Sequence, residues 1–265
     1  MSDKLIRLDK GSTRELRLNR PEIRNALDEE LIQELTAAVR AAADDKAVRF
    51  VLLSGEGKSF CAGADINYMR RLAEYDHQDN LADARLLSGL YESISACSKP
   101  VVARVQGAAI GGGLGLVAAA DLVVAAEGTK FGLTEARLGI LPAVIAPFVL
   151  RRLGPGACRT LFLSTQIFTT EKAQRLGLVD EVAAPEELDA EVEVMLKELS
   201  LGGPLAQAAC KRLLDEIGSL PLAEACKRTP EYIASQRATA EAKEGFAAYF
   251  EKRPTKWVDA FEEEG

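Results

Sequence analysis

The sequence predicts an α/β fold. Three observations carry that expectation: short apolar runs rich in β-branched residues alternate with stretches of helical periodicity, two of those runs pass directly into glycine turns, and the C-terminal part is dominated by helical pattern. Residues 4–8 and 14–18 read as a strand hairpin turning at Gly11 and Ser12. Residues 28–43 read as an amphipathic helix with Leu31, Ile32, Leu35 and Val39 on one face. A strand is expected at 48–53, a helix at 81–97, a strand at 100–105, a helix at 114–119 and a strand at 122–126. From Thr134 onward the pattern is helical, interrupted by a short strand near 178–182. No internal repeat is visible at the residue level.

Residues 100–121 read PVVARVQGAAIGGGLGLVAAAD, a buried strand, a glycine cluster and an alanine-rich buried helix. Gly111, Gly112 and Gly113 let the backbone turn sharply and let a ligand approach main-chain N–H groups. Those N–H groups open the first turn of a helix, where they have no intrahelical acceptor and favour negative charge. A Walker loop needs Lys and Ser or Thr after the glycines, whereas Leu114 and Gly115 follow here. A dinucleotide fingerprint fits only with bent spacing, and close helix–strand packing is a plain alternative. Residues 55–65, GEGKSFCAGAD, form a second strand-to-glycine turn after Phe50, Val51, Leu52 and Leu53. Two such turns can direct two N–H donors at one oxygen, an oxyanion hole for charge developing on a carbonyl.

Composition narrows the chemistry. The chain has 265 residues and a net charge of −7, which argues against nucleic acid or an anionic membrane as partner. Met1, Ser2, Asp3 and Lys4 give no apolar targeting core, and Asp121, Glu127 and Lys130 interrupt the longest apolar run. Five scattered cysteines (61, 97, 158, 210 and 226) suggest reduced thiols and a cytoplasmic location. A single histidine, His77, excludes a His-rich metal site and makes a Ser-His-Asp triad a poor fit. Cys61 has no evident partner to activate it and reads as a small buried filler. The expected chemistry therefore comes from carboxylates and backbone amides, with no metal and no redox cofactor.

The segments SFCAGADI, GAAIGGGLGL and FGLTEARLGILP, with LNRPEIRNAL before them and EGFAAYFEKR after, resemble the crotonase (enoyl-CoA hydratase/isomerase) superfamily in order and spacing. That resemblance implies a spiral of β-β-α units over 1–200 and a C-terminal helical trimerisation region over 201–265. It implies a homotrimer, or a homohexamer built as a dimer of trimers, acting on an acyl-CoA with no cofactor beyond the coenzyme A of the substrate. It assigns the oxyanion-hole N–H groups to Ala64 and Gly112, and a catalytic carboxylate to Glu135. It places Arg24, Ala62, Asp65, Ile66, Gly111, Leu141, Tyr249 and Lys252 along the substrate and its CoA, with Phe250 as a further apolar candidate and Arg253 as a further cation.

One departure stands out. Hydratases of this family carry two glutamates, and the first falls on Gly115, which has no side chain. Glu135 must then both activate water and deliver the proton, or another group helps; a lone carboxylate is also the pattern of the family's double-bond isomerases. Read outside the motif, Glu135 is simply a carboxylate at a helix N-terminus beside Thr134. GGGLGL together with LTEARLGILPAVIAPFV resembles a subgroup hydrating branched glutaconyl-CoA esters such as 3-methylglutaconyl-CoA. In that subgroup the apolar residues 143–147 reshape the acyl pocket, and Arg151 and Arg152 are the candidate partners of a distal carboxylate. An isomerase, or a catalytically weak acyl-CoA-binding relative, is the alternative.

Overall fold

The computed structural model describes residues 3–258. Its N-terminal strands β1 (Leu5–Lys10) and β2 (Thr13–Leu18) form the expected antiparallel hairpin, with Gly11 at φ +52° in the turn. Helix α1 (Glu29–Asp44) follows, capped by the Asp28 carboxylate, which accepts from Leu31 N at 2.9 Å. Its Leu31, Ile32, Leu35 and Val39 are buried, as the periodicity requires. Strand β3 (Phe50–Gly55) leads through the first glycine turn into α2 (Ile66–Glu74) and α3 (His77–Ser95). Then come β4 (Val101–Val105), β5 (Ala108–Ile110), α4 (Gly112–Ala119), β6 (Leu122–Ala126) and β7 (Lys130–Gly132). A 3-10 turn, Glu135–Leu138, precedes α5 (Ala146–Ser164), which is broken at Gly154 (φ +74°) ahead of Pro155. The remainder is β8 (Ile167–Thr169), α6 (Thr170–Arg175), β9 (Glu181–Ala183), α7 (Leu188–Ser200), α8 (Pro204–Ile217), α9 (Leu222–Arg237) and α10 (Ala240–Glu251).

The strands make two sheets. The larger runs β1-β2-β3-β4-β6-β9, parallel from β2 onward, and the smaller runs β5-β7-β8. Cys61 adds a parallel bridge to Ala109 and so extends the smaller sheet by one position. The chain therefore climbs in turns: β3, Cys61, then α2 and α3; β4, β5, then α4; β6, β7, then α5. Each turn gives one strand to each sheet before a helix, which is the expected spiral of β-β-α units.

Several elements differ from expectation. Helix α3 begins four residues before 81, because Asp76 caps it by accepting from Gln78 N and Asp79 N. Helix α2, INYMRRLAE, was not expected: Ile66, Met69, Leu72 and Ala73 follow a helical spacing, but the segment is only nine residues long and buries only Tyr68. Strands β5, β7 and β8 have three residues each, too short for an alternating pattern to register. The strand expected near 178–182 sits at Glu181–Ala183, while Leu178 and Val179 are buried outside it.

One buried polar residue holds the front of the site in place. Asn25 is fully buried at φ +57°, and its side chain accepts from Arg20 N and donates to Glu56 O and Ser59 O at 2.8–2.9 Å. It ties the loop before α1 to the loop after β3. The Asn25→Ala variant leaves three backbone partners unmet and should cost about 3 kcal/mol in urea unfolding.

Candidate active site

The two glycine turns are held side by side. Cys61 N donates to Ala108 O at 3.0 Å and Ile110 N donates to Cys61 O at 3.1 Å. On the other side of the first turn, Leu27 N donates to Gly63 O and Asp65 N to Leu27 O, both at 2.8 Å. This pairing uses the Gly63 carbonyl and the Asp65 N–H and leaves the N–H of exposed Ala64 without a backbone acceptor among the described residues. Gly112 is the first residue of α4, so its N–H has no intrahelical acceptor either. Gly111 N is spent on Gly132 O at 2.9 Å, and Gly111 itself sits at φ +52°, ψ −118°, a conformation that favours glycine. The structure thus holds the turn of Ala64 beside the turn of Gly111 and Gly112, and neither Ala64 N nor Gly112 N has a backbone acceptor among the described residues.

Glu135 closes on this pair from the 3-10 turn. A Cβ placed on Gly111 would lie 3.2 Å from Glu135 Oε1. Glu135 Oε2 is buried and has no hydrogen-bond partner among the described residues. Burial raises the Glu135 carboxyl above its ordinary value, against a smaller opposing effect from its own backbone N–H. A half-buried carboxylate with an unspent oxygen and a raised proton affinity is suited to taking and returning a proton near neutral pH.

The position of the missing glutamate is filled. A Cβ on Gly115 would lie 2.4 Å from Ile145 Cγ2 and 2.9 Å from Cε1 and Cζ of Tyr91. Ile145 comes from the apolar 143–147 segment and is buried, so that segment packs directly over the site. Tyr91 was not singled out by the sequence, because an aromatic residue in a helix reads as core. Cys61 is fully buried and its thiol is pushed up to about 12 by that burial, which leaves it a packing residue. His77 opens α3 on the exposed surface.

The other candidates separate into three groups. Around the first turn, Ala62 N donates to Arg24 O at 3.0 Å, the Arg24 backbone is left-handed (φ +56°), and its side chain is exposed. Ile66 and Leu141 are exposed apolar residues at 69% and 72%, open to a ligand. Asp65 is different: its carboxylate caps α2 by accepting from Asn67 N and Tyr68 N and pairs with Arg20 at 2.9 Å. Desolvation works against its ionisation, and those partners still hold its carboxyl below the usual range. Its side chain is therefore structural. Tyr249, Phe250 and Lys252 lie exposed at the end of α10, which the Glu241 carboxylate anchors to Leu205 N and Ala206 N. Among the described residues, no hydrogen bond ties that end to either glycine turn.

Three proposed cations are spent elsewhere. Arg253 pairs with Glu244 and Glu251. Arg151 bonds Asp215 and Ser95 Oγ. Arg152 reaches Asp180 and the carbonyls of Ala120, Asp121, Gly177 and Leu178, so it serves as a structural clamp and does not reach for a distal carboxylate. A separate cleft of about 670 Å³, lined by Glu15, Arg17, Ser54 and Arg104 among others, touches the start of one turn at Gly55, Glu56 and Gly57 but is lined by none of Ala64, Gly111, Gly112 and Glu135. Its charges satisfy one another through Arg17–Glu15 and Arg104–Asp189. Among the described residues there is no group of three or more potential metal ligands, no helix long and apolar enough to cross a membrane, and all five cysteines are free.

Comparison with known proteins identifies the family. The family described as enoyl-CoA hydratase/isomerase matches residues 9–260. Crotonyl-CoA hydratase of Syntrophomonas wolfei subsp. wolfei is 36% identical over 92% of this chain and 93% of its own length. The 2,3-dehydroadipyl-CoA hydratase of Escherichia coli is 35% identical over 90% of this chain and 92% of its own. The crystal structure of an enoyl-CoA hydratase from Shewanella pealeana superimposes with a TM-score of 0.92 at 35% identity, covering 96% of both chains. The match over most of the chain, relatives above 30% identity along nearly their whole length and the shared β-β-α spiral show that the chain belongs to the enoyl-CoA hydratase/isomerase family of the crotonase superfamily.

Proposed function

We propose that the protein hydrates the α,β double bond of an acyl-CoA thioester, with Glu135 as the single acid/base. The observation that carries this is the buried, unpartnered Oε2 of Glu135 beside two free N–H groups. The Ala64 and Gly112 N–H groups would hold the thioester oxygen, which makes Cβ electrophilic. Water adds to Cβ as Glu135 takes its proton; the electron pair of the double bond moves to the carbonyl oxygen. The enolate then collapses as Glu135 returns the proton to Cα, so atoms and charge balance with one carboxylate.

Within that chemistry we propose a branched glutaconyl-CoA, 3-methylglutaconyl-CoA first, as substrate. The apolar cover formed by Ile145 over Gly115 and the likeness to a 2,3-dehydroadipyl-CoA hydratase, whose named substrate also carries a distal carboxylate, support it. The partner of that carboxylate must be a group other than Arg151 or Arg152. Exposed Leu214, Leu222, Ile233, Phe246, Tyr249 and Phe250 on α8–α10 support assembly into a homotrimer or dimer of trimers through the 201–265 region, whose last residues, 259–265, lie outside the described ones, as do Met1 and Ser2 of the core span. In that assembly Tyr249 and Lys252 would reach a neighbour's CoA. Five free cysteines support a reducing, cytoplasmic setting.

Mass spectrometry after incubation with 3-methylglutaconyl-CoA and crotonyl-CoA tests the proposal. Gain of one water on the glutaconyl ester, lost in Glu135→Gln, is expected. Gain of water on crotonyl-CoA alone removes the substrate proposal. If neither ester gains water, the single carboxylate favours a second reading, isomerisation of β,γ-enoyl esters, in which one base moves a proton between carbons.

A further inference from the structure

We infer that Tyr91 is a positioning residue for the oxyanion hole: its phenol fixes the orientation of the Gly111–Gly113 turn, and its ring occupies the space that a side chain at 115 would need. The inference rests on the reading of Glu135 as the acid/base and of Gly112 as an oxyanion donor.

A turn of three consecutive glycines has the greatest backbone freedom available to a chain, yet an oxyanion hole works only when its donors are held in place before charge develops. Each glycine here therefore needs an external restraint. Gly111 is held through its N–H to Gly132 O. Gly113 is packed against the Cys61 carbonyl, 2.2 Å from where a Cβ would stand. Gly112, the donor itself, is held by Tyr91 Oη, which donates to Gly112 O at 3.0 Å; among the described residues this is the one side-chain hydrogen bond to the backbone of 111–113. Tyr91 is fully buried and its ring packs at 5.8 Å from Phe148, so its position is fixed from behind. Burial, with the nearby Cys61, Glu135 and Tyr68, raises the phenol well above its ordinary value, so it stays a neutral donor and cannot replace a carboxylate as base. The ring lies against Gly115, which explains why the second carboxylate has no room and why Glu135 acts alone.

The Tyr91→Phe variant tests this, because it keeps the ring and removes only the hydrogen bond. With crotonyl-CoA, or whichever ester the wild type hydrates, kcat should fall about tenfold while KM stays within about twofold, since the loss is felt as charge develops. The infrared stretch of a ¹³C-labelled thioester carbonyl, bound to Glu135→Gln so that it does not turn over, should return about halfway toward its free value when Tyr91→Phe is added. A merely structural role for the tyrosine would leave that stretch in place. An unchanged stretch, with or without a fall in kcat, overturns the inference. Hydration surviving in Glu135→Gln alone would instead overturn the acid/base reading, and the two failures are separately visible.

Discussion

Glu135→Gln should lower hydration about a thousandfold and at the same time raise the melting temperature at neutral pH. The rate effect follows from removing the carboxylate with an unpartnered oxygen beside Gly111, a group whose proton transfers are worth about 10²–10⁴-fold, since the Asp65 carboxylate is spent on its cap and on Arg20. The stability effect has the opposite sign because burial raises the Glu135 carboxyl in the folded state and Oε2 has no partner. A raised carboxyl means that the folded protein binds the proton more tightly than the unfolded chain. Its contribution is therefore fully present below the ordinary value of 4.5 and is lost as pH rises through the raised folded value. Above that window the wild type carries an uncompensated buried charge, which the amide of glutamine lacks. Relief of about 1 kcal/mol corresponds to about 2 °C in Tm for a chain of this size. The difference in Tm between variant and wild type should grow from near pH 4.5 to pH 8, measured by differential scanning calorimetry. A variant that is less stable than wild type at pH 8 would show that the carboxylate is compensated in the fold.

How much of this site could be read from the chain depends on whether a residue's neighbours are local. The two glycine turns were legible because a glycine run after a buried strand marks a sharp turn whatever the rest of the fold does, while the choice of Ala64 and Gly112 within them came from the family resemblance. Asp28 and Leu31 were legible as a helix start, since a cap and an apolar face are decided within one turn. Tyr91 was not, because its role comes from contact with Gly112 and Gly115, about twenty residues on, and nothing in LSGLYESI distinguishes it from a core aromatic. Asp65, Arg151 and Arg152 show the converse. Their types suit ligand binding, but capping and ion pairs with Arg20, Asp215 and Asp180 consume their donors and acceptors. Helix α2 escaped because its apolar period spans only nine residues and is started by the Asp65 cap, and the three-residue strands because their stability comes from tertiary pairing.

Gly113→Ala should cripple the enzyme through a single added methyl. Gly113 has no left-handed backbone, so the effect is purely one of space. Its new Cβ would stand 2.2 Å from Cys61 O and 2.9 Å from Cys61 Cβ, against about 3.5–4.0 Å for an ordinary contact. Cys61 O is backbone and is held by Ile110 N, so no flexible side chain can give way. Relief must come from moving the 61–65 turn away from α4, and these segments carry Ala64 and Gly112, the proposed oxyanion donors. A shift of about 1 Å between them should cost about a hundredfold in kcat, with overpacking costing about 1–3 kcal/mol in stability. Gly156→Ala is the control: it lies in a helix with nothing within 4 Å of its Cβ position and should leave both quantities unchanged or slightly raise stability. Equal kcat in the two variants would mean that the spacing of the turns does not set the reaction rate, and the assignment of Ala64 and Gly112 as paired donors would fall with it.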